Sequence, residues 1–173
     1  MKDGFLKVAV ATPDLRVADT DYNGQQIIKK AKELADQGVK LLVFPELCIT
    51  GYTCGDLFLQ DPLLDGAETE LIKIAEATSE LDMLFTVGLP LVHNNRLFNV
   101  VAVIKSGEIL GLVPKSYIPG YSEFYEGRHF VSGGGIMTEH RLGEELHVDF
   151  GPKQLFSCYN MKGFVLGVEI CED

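Results

Sequence analysis

An α/β fold with a mixed sheet is what this sequence predicts. Three observations carry the prediction. Short apolar, β-branched runs alternate with segments of helical periodicity; a Ser106-Gly107 turn signal joins two strand-like runs; and 46% of the 173 residues are hydrophobic, with charges scattered rather than blocked. No linker or repeat divides the chain, so residues 1–173 are read as one domain unit.

Taken in order, Phe5 to Thr12 reads as a first strand, ended by Pro13. A helix is signalled from Asn23, a candidate N-cap with Gln26 three residues on. Ile27, Ile28, Ala31, Leu34 and Ala35 share its apolar face and Gly38 closes it. Val39 to Phe44 follows as a strand whose continuous apolar run suits a sheet covered on both faces. After a loop from Pro45 to about Pro62, Asp65 and Glu68 mark a second helix start, with Leu71, Ile74, Ala75 and Thr78 as its buried stripe. Met83 to Leu89, Arg96 to Lys105 and Glu108 to Val113 are strands, the last two forming the hairpin at Ser106-Gly107. Ser116 to about Glu145 shows little regular signal, and such long irregular stretches are more often functional than filler. Late strands are expected at Gln154 to Tyr159 and Phe164 to Ile170.

Composition excludes several classes of function. The formal charge is −10, a field that repels phosphate backbones, so no nucleic-acid partner is expected. No run approaches about 18 apolar residues, so no membrane span is expected. Met1-Lys2-Asp3-Gly4 leads directly into the first strand with no secretory core, and a cytoplasmic location follows. Cysteines at 48, 54, 158 and 171 form no Cys-x-x-Cys pair, and the four histidines lack zinc-site spacing, so no disulfide framework or metal is expected.

Three segments share one arrangement: a hydrophobic strand ends and a reactive side chain follows. They place Glu46, Lys115 and Cys171 just beyond strand ends, where open α/β sheets build functional crevices. The three side chains are chemically complementary. A thiolate attacks a carboxamide, a carboxylate carries the proton, and an ammonium stabilises the oxyanion. Spacing alone leaves open whether they converge or are solvated strand-end charges.

Phe44-Pro45-Glu46-Leu47, Pro114-Lys115 and Glu169-Ile170-Cys171-Glu172-Asp173 resemble, in order, the three signature segments of the nitrilase (carbon–nitrogen hydrolase) superfamily. The stretches continuing to Tyr52 and to Glu126, with Asp56-Leu57-Phe58, resemble the N-terminal glutaminase domains of glutamine-dependent NAD synthetases in particular. The resemblance implies a nitrilase-like α-β-β-α sandwich, incomplete at the C-terminus because the sequence stops two residues after Cys171. It implies Glu46, Lys115 and Cys171 as the catalytic triad, with Glu126 supporting the lysine. Tyr52, Tyr121, Phe124 and Glu172 would line a glutamine pocket. The implied activity is glutamine hydrolysis, with no cofactor, and transfer of ammonia to a synthetase domain absent from this sequence. ATP and Mg would act only at that domain, and homo-oligomers are implied by resemblance alone. Alternatives are another small-amide hydrolase of the ω-amidase type, or an inactive truncated scaffold.

Other reactive-looking residues have simpler explanations. Cys48, Cys54 and Cys158 are read as small buried packing residues. Gly133-Gly134-Gly135 lacks the lysine and hydroxyl of a P-loop and is read as a flexible turn. His129 is read as a hydrogen-bonded structural histidine.

Overall fold

A seven-stranded sheet with two helices packed against it forms the body of the computed structural model, which describes residues 4–173. Residues 1–3, on which the expectation of no leader partly rests, lie outside the described residues. The elements run β1 (Val8–Val10), α1 (Thr20–Asp36), β2 (Leu41–Val43), a 3-10 turn (Gly55–Leu59), α2 (Asp61–Ala77), β3 (Leu84–His93), β4 (Arg96–Lys105) and β5 (Glu108–Pro114). A second 3-10 turn (Glu126–Arg128) and strands β6 (Thr138–Leu142), β7 (Leu146–Phe150), β8 (Leu155–Ser157) and β9 (Val165–Gly167) follow.

The sheet order is β1-β2-β3-β4-β5-β7-β6. Strands β1 to β3 are parallel, β3 to β5 an antiparallel meander, and β7 joins β5 in parallel at Leu112 and Phe150. The sheet is therefore mixed, as the alternation of elements predicts. Strands β8 and β9 pair only with each other. Strand β8 lies close against β5, since a Cβ on Gly111 would overlap the Gln154 and Phe156 side chains.

Several boundaries differ from the sequence expectation. Helix α1 starts at Thr20, because the Asp19 carboxylate accepts the Tyr22 N–H at 3.1 Å and is the true cap. Asn23, the expected cap, lies buried inside α1. Its amide accepts from Arg16 N–H (2.7 Å) and donates to the Arg16 and Ile49 carbonyls (2.8 and 3.0 Å). Helix α2 starts at Asp61, with Pro62 in the first turn, so Asp65 and Glu68 lie within it. Strand β3 runs on to His93 and turns at Asn94-Asn95, both in the left-handed region (φ 48° and 58°). Ser106 and Gly107 (φ 50° and 86°) make the same turn between β4 and β5. The stretch after Ser116 contains β6, which sequence reading missed. Glu139 and Arg141 face outward there, and an edge strand with charged alternate positions gives a weak apolar signal.

The core lies between the helices and the sheet. Ile27 and Ala31 of α1 and Leu71 and Ile74 of α2 meet Leu42, Phe85, Val87 and Val100. Burying each of the larger side chains stabilises the fold by about 1.5–3 kcal/mol. Coverage on both faces of β2 is not found. Leu42 is buried, but Val43, Val8 and Val10 are exposed, so one face of the β1–β2 corner stays apolar and open.

A buried histidine pair marks the other end of the sheet. The Nδ1 atoms of His93 and His140 are 3.1 Å apart, His93 stacks on Phe150, and the Nε2 of His140 is buried without a partner. Burial pulls both imidazoles below the ordinary histidine range; for His140, Glu68 opposes this and His93 adds to it. A histidine held below its unfolded value supports stability fully above about pH 6.5, and that support is lost as pH falls through the folded value. The urea midpoint should therefore drop between pH 7 and pH 5. In His140→Leu, which removes the orphaned nitrogen, the drop should shrink measurably; an unchanged slope would acquit the pair.

Candidate active site

Glu46 stands three residues beyond β2, on a turn that crosses β3. The turn needs two backbone concessions. Leu47 is fully buried at φ 53°, a strained conformation for a leucine, and Gly88 beneath it leaves room for the backbone. Any Cβ at Gly88 would overlap the backbone of Glu46 and Leu47. Cys48 fastens the same crossing, its sulfur accepting the Gly88 N–H at 3.3 Å. Burial pushes the Cys48 thiol up to about 12, and burial raises Cys54 as well, so both are packing residues as expected.

Lys115 follows β5 directly and is completely buried. Its ammonium donates to Glu46 Oε1 at 2.7 Å and to both Glu126 oxygens, at 2.8 and 2.9 Å. Burial by itself favours the neutral amine. The bonds and charges of Glu126 and Glu46 outweigh it, and the lysine is raised above its ordinary value. Lys115 therefore remains a cation and cannot serve as the base. Glu126, 5% exposed, is brought in by the second 3-10 turn. Arg128 and His129 tie that turn to Asp56 at 2.8–3.1 Å, so His129 is hydrogen-bonded as expected.

Two further contacts were invisible in the sequence. Asn99 of β4 is buried and donates its Nδ2–H to Glu46 Oε1 at 2.6 Å, while its backbone carbonyl accepts Lys115 N–H at 2.8 Å. The only signal was a polar residue in an otherwise apolar strand run. Asp173 is the second. Its Oδ1 accepts the N–H groups of Ser116 and Tyr117, each at 2.8 Å, and its Oδ2 accepts Ile170 N–H at 3.4 Å. One carboxylate thus latches the segment after Lys115 to the turn that carries Cys171.

Cys171 is exposed and sits at φ 57°, in the left-handed region. Its neighbour Glu172 accepts a hydrogen bond from the Tyr121 hydroxyl, which sets the Tyr121 side of the surface next to the Cys171 turn. Tyr52, expected in a substrate pocket, gives its hydroxyl to Glu126 Oε1 at 2.9 Å, so it braces the ion cluster. Burial, then Glu126, then the charges of Glu46 and Cys171 raise the Tyr52 phenol. Tyr121 donates to Glu172 and meets Phe124 edge-on, with ring centroids 5.7 Å apart. These three residues group beside Cys171 on the surface. Cys158, expected to be buried, is half-exposed, because β8 and β9 form a small hairpin rather than core strands. Gly133 is more than a flexible turn: its N–H donates to Lys115 O at 2.8 Å, and a Cβ there would strike Pro114.

An open cleft of about 710 Å³, bordered by His93, Asn94, His140, Arg141 and His147, shares no residue with this cluster. Among the described residues no group of three His, Cys, Asp or Glu side chains is placed to hold a metal ion. None of the described helices is long and apolar enough to cross a membrane.

The carbon–nitrogen hydrolase family model matches residues 7–173. The chain belongs to the carbon–nitrogen hydrolase family. The chain is 42% identical over 170 residues to the glutamine-dependent NAD(+) synthetase of Mycobacterium tuberculosis, covering 98% of the chain and 25% of the relative. It is 33% identical over 168 residues to the Thermotoga maritima enzyme of the same name, covering 97% and 26%. The crystal structure of a glutamine-dependent NAD(+) synthetase from Cytophaga hutchinsonii superposes with a TM-score of 0.87 at 29% identity, covering 97% of the chain and 28% of that structure. The chain thus shares the nitrilase-like fold and spans about a quarter of the length of the curated relatives it matches.

Proposed function

We propose that this chain carries a glutaminase site that releases ammonia for amide synthesis in a glutamine-dependent NAD synthetase. The observation that carries the proposal is the buried Lys115 ammonium, bonded to Glu46 and Glu126, with the Cys171 turn latched to the segment that follows Lys115.

In this mechanism the Cys171 sulfur attacks the carboxamide carbon of glutamine while Glu46 takes the thiol proton. The carbonyl oxygen becomes an oxyanion, stabilised by Lys115 and backbone N–H groups. Collapse breaks the C–N bond, and Glu46 returns the proton to the leaving ammonia. Water then attacks the thioester, again with Glu46 as base; the C–S bond breaks, Glu46 returns the proton to the Cys171 sulfur, and glutamate leaves. Tyr121, Phe124 and Glu172 would hold the substrate, the aromatic rings on its aliphatic stem and the carboxylate on its α-ammonium. The chemistry requires no metal or organic cofactor. ATP and Mg would act at a synthetase domain that receives the ammonia, in a cytoplasmic enzyme that self-associates.

A glutamine-mimicking electrophile such as a diazo-ketone analogue tests the assignment on the intact protein. It should modify Cys171, spare Cys48 and Cys54, and be blocked by glutamine, read out by peptide mass spectrometry. Steady-state assays should show glutamine cleaved faster than ω-amidodicarboxylates. Equal labelling of all four thiols, or a preference for ω-amides, would remove the glutaminase assignment.

A further inference from the structure

The two oxygens of Glu46 are not equivalent. Lys115 Nζ and Asn99 Nδ2 both donate to Oε1, at 2.7 and 2.6 Å, whereas Oε2 takes no donor among the described residues. The Glu46 side chain is 24% exposed, and Oε2 is its oxygen without a protein donor among the described residues. Asn99 itself is fully buried, and its Oδ1 has no hydrogen-bond partner.

The side chain cannot be turned the other way. With Oδ1 toward Glu46, two acceptors would face each other at 2.6 Å, so the amide must present its donor. The fold therefore keeps one buried acceptor unsatisfied in order to place one neutral donor on Oε1. Buried unsatisfied groups are uncommon and call for an explanation. A leucine of similar shape would fill the same buried position without that cost, so packing does not explain the residue.

We infer that Asn99 is a positioning residue for the base: it pins Oε1, fixes the rotation of the Glu46 carboxylate, and commits proton transfer to Oε2. This inference rests on the glutaminase reading and deepens it. Lys115 alone leaves the carboxylate free to swing about a single anchor, whereas a second donor on the same oxygen fixes its plane. A proton taken from Cys171 then goes to Oε2, and Oε1 continues to accept both bonds as the carbonyl oxygen of the acid. Asn99 also sets the anchor itself, because its backbone carbonyl holds Lys115 N–H at 2.8 Å. The side-chain and backbone contributions are separable, since substitution leaves the second intact.

The test uses Asn99→Leu and Asn99→Asp in the intact protein, with three measurements. In Asn99→Leu, kcat for glutamine should fall about 10–100-fold with KM within about twofold, as expected for an interaction that matters in the transition state. The urea midpoint of that variant should be unchanged or higher, because an orphaned acceptor is gone. The third measurement is the pH dependence of Cys171 alkylation by iodoacetamide, which needs no glutamine turnover. A carboxylate deprived of a donor holds its proton to higher pH, and one facing a second carboxylate does so more strongly. The charged and titratable groups around Glu46 are Lys115, bonded to it directly, Glu126 through Lys115, and Tyr52, bonded to Glu126. The acid limb of alkylation should thus move to higher pH in Asn99→Leu and further in Asn99→Asp. A wild-type alkylation profile in both variants would overturn the positioning role, as would a fall in stability that matches the fall in kcat. If wild-type protein fails to cleave glutamine but the alkylation limb moves as stated, the substrate assignment fails and the role of Asn99 stands.

Discussion

Replacing Lys115 with methionine is expected to destabilise the protein by about 3–5 kcal/mol in urea denaturation, far more than loss of a surface ion pair would. Methionine has nearly the length of the lysine and fills its buried channel, so the loss is electrostatic. Lys115 is fully enclosed, and Glu126 is nearly so. Without the ammonium, both Glu126 oxygens lose a bonding partner and Glu46 Oε1 keeps only Asn99. Tyr52 still donates to Glu126, which limits the damage. Glutamine turnover should fall by at least about 10²–10³-fold, the range seen when an oxyanion donor is removed. The paired substitution Lys115→Met with Glu126→Gln separates the two effects. Neutralising Glu126 should recover much of the stability, because no deeply buried carboxylate is then left unpaired, while activity should stay lost. A single-variant loss under about 1 kcal/mol would mean that the cluster is wetter and weaker than its geometry implies.

The same cluster shows what a sequence can and cannot reveal. Strand-end placement of Glu46 and Lys115 was legible because continuous apolar runs stop just before them, and the structure brings both to one point. The central hairpin was legible because Ser106-Gly107 carries turn chemistry between alternating runs. Asn23 misled, since the residue type that caps helices also makes long-range bonds to backbone, and only the fold decides between the two. Strand β6 was hidden by its charged outward positions. The residues that arrange the site were the least visible. Asn99 lies 53 residues from Glu46, and Asp173 lies 57 from Ser116, so no local pattern links either to its partner. The left-handed conformations of Leu47 and Cys171 leave no sequence trace, because neither residue type prefers them.

That last feature separates function from stability at Cys171, the nucleophile proposed above. Cys171 occupies the left-handed region at φ 57°, exposed and without a side-chain hydrogen bond among the described residues. An L-residue pays roughly 1–2 kcal/mol for this conformation, and glycine does not. Its greater freedom in the unfolded chain offsets part of the gain. Cys171→Gly should therefore raise the urea-derived stability by roughly 0.5–1 kcal/mol, and Cys171→Val should lower it, because a β-branched side chain tolerates this region least. Both variants, and Cys171→Ala, should lose at least about 10⁴-fold in glutamine turnover, the scale expected when a nucleophile that works as a unit with its base is removed. The Asp173 latch does not involve the Cys171 side chain, so the turn should keep its place in the glycine variant. A more stable protein with no activity would show that the backbone is held in strain to present the sulfur. A glycine variant that is less stable would mean that the side chain packs productively, and Cys171→Ala protein that still turned over glutamine would move the nucleophile elsewhere.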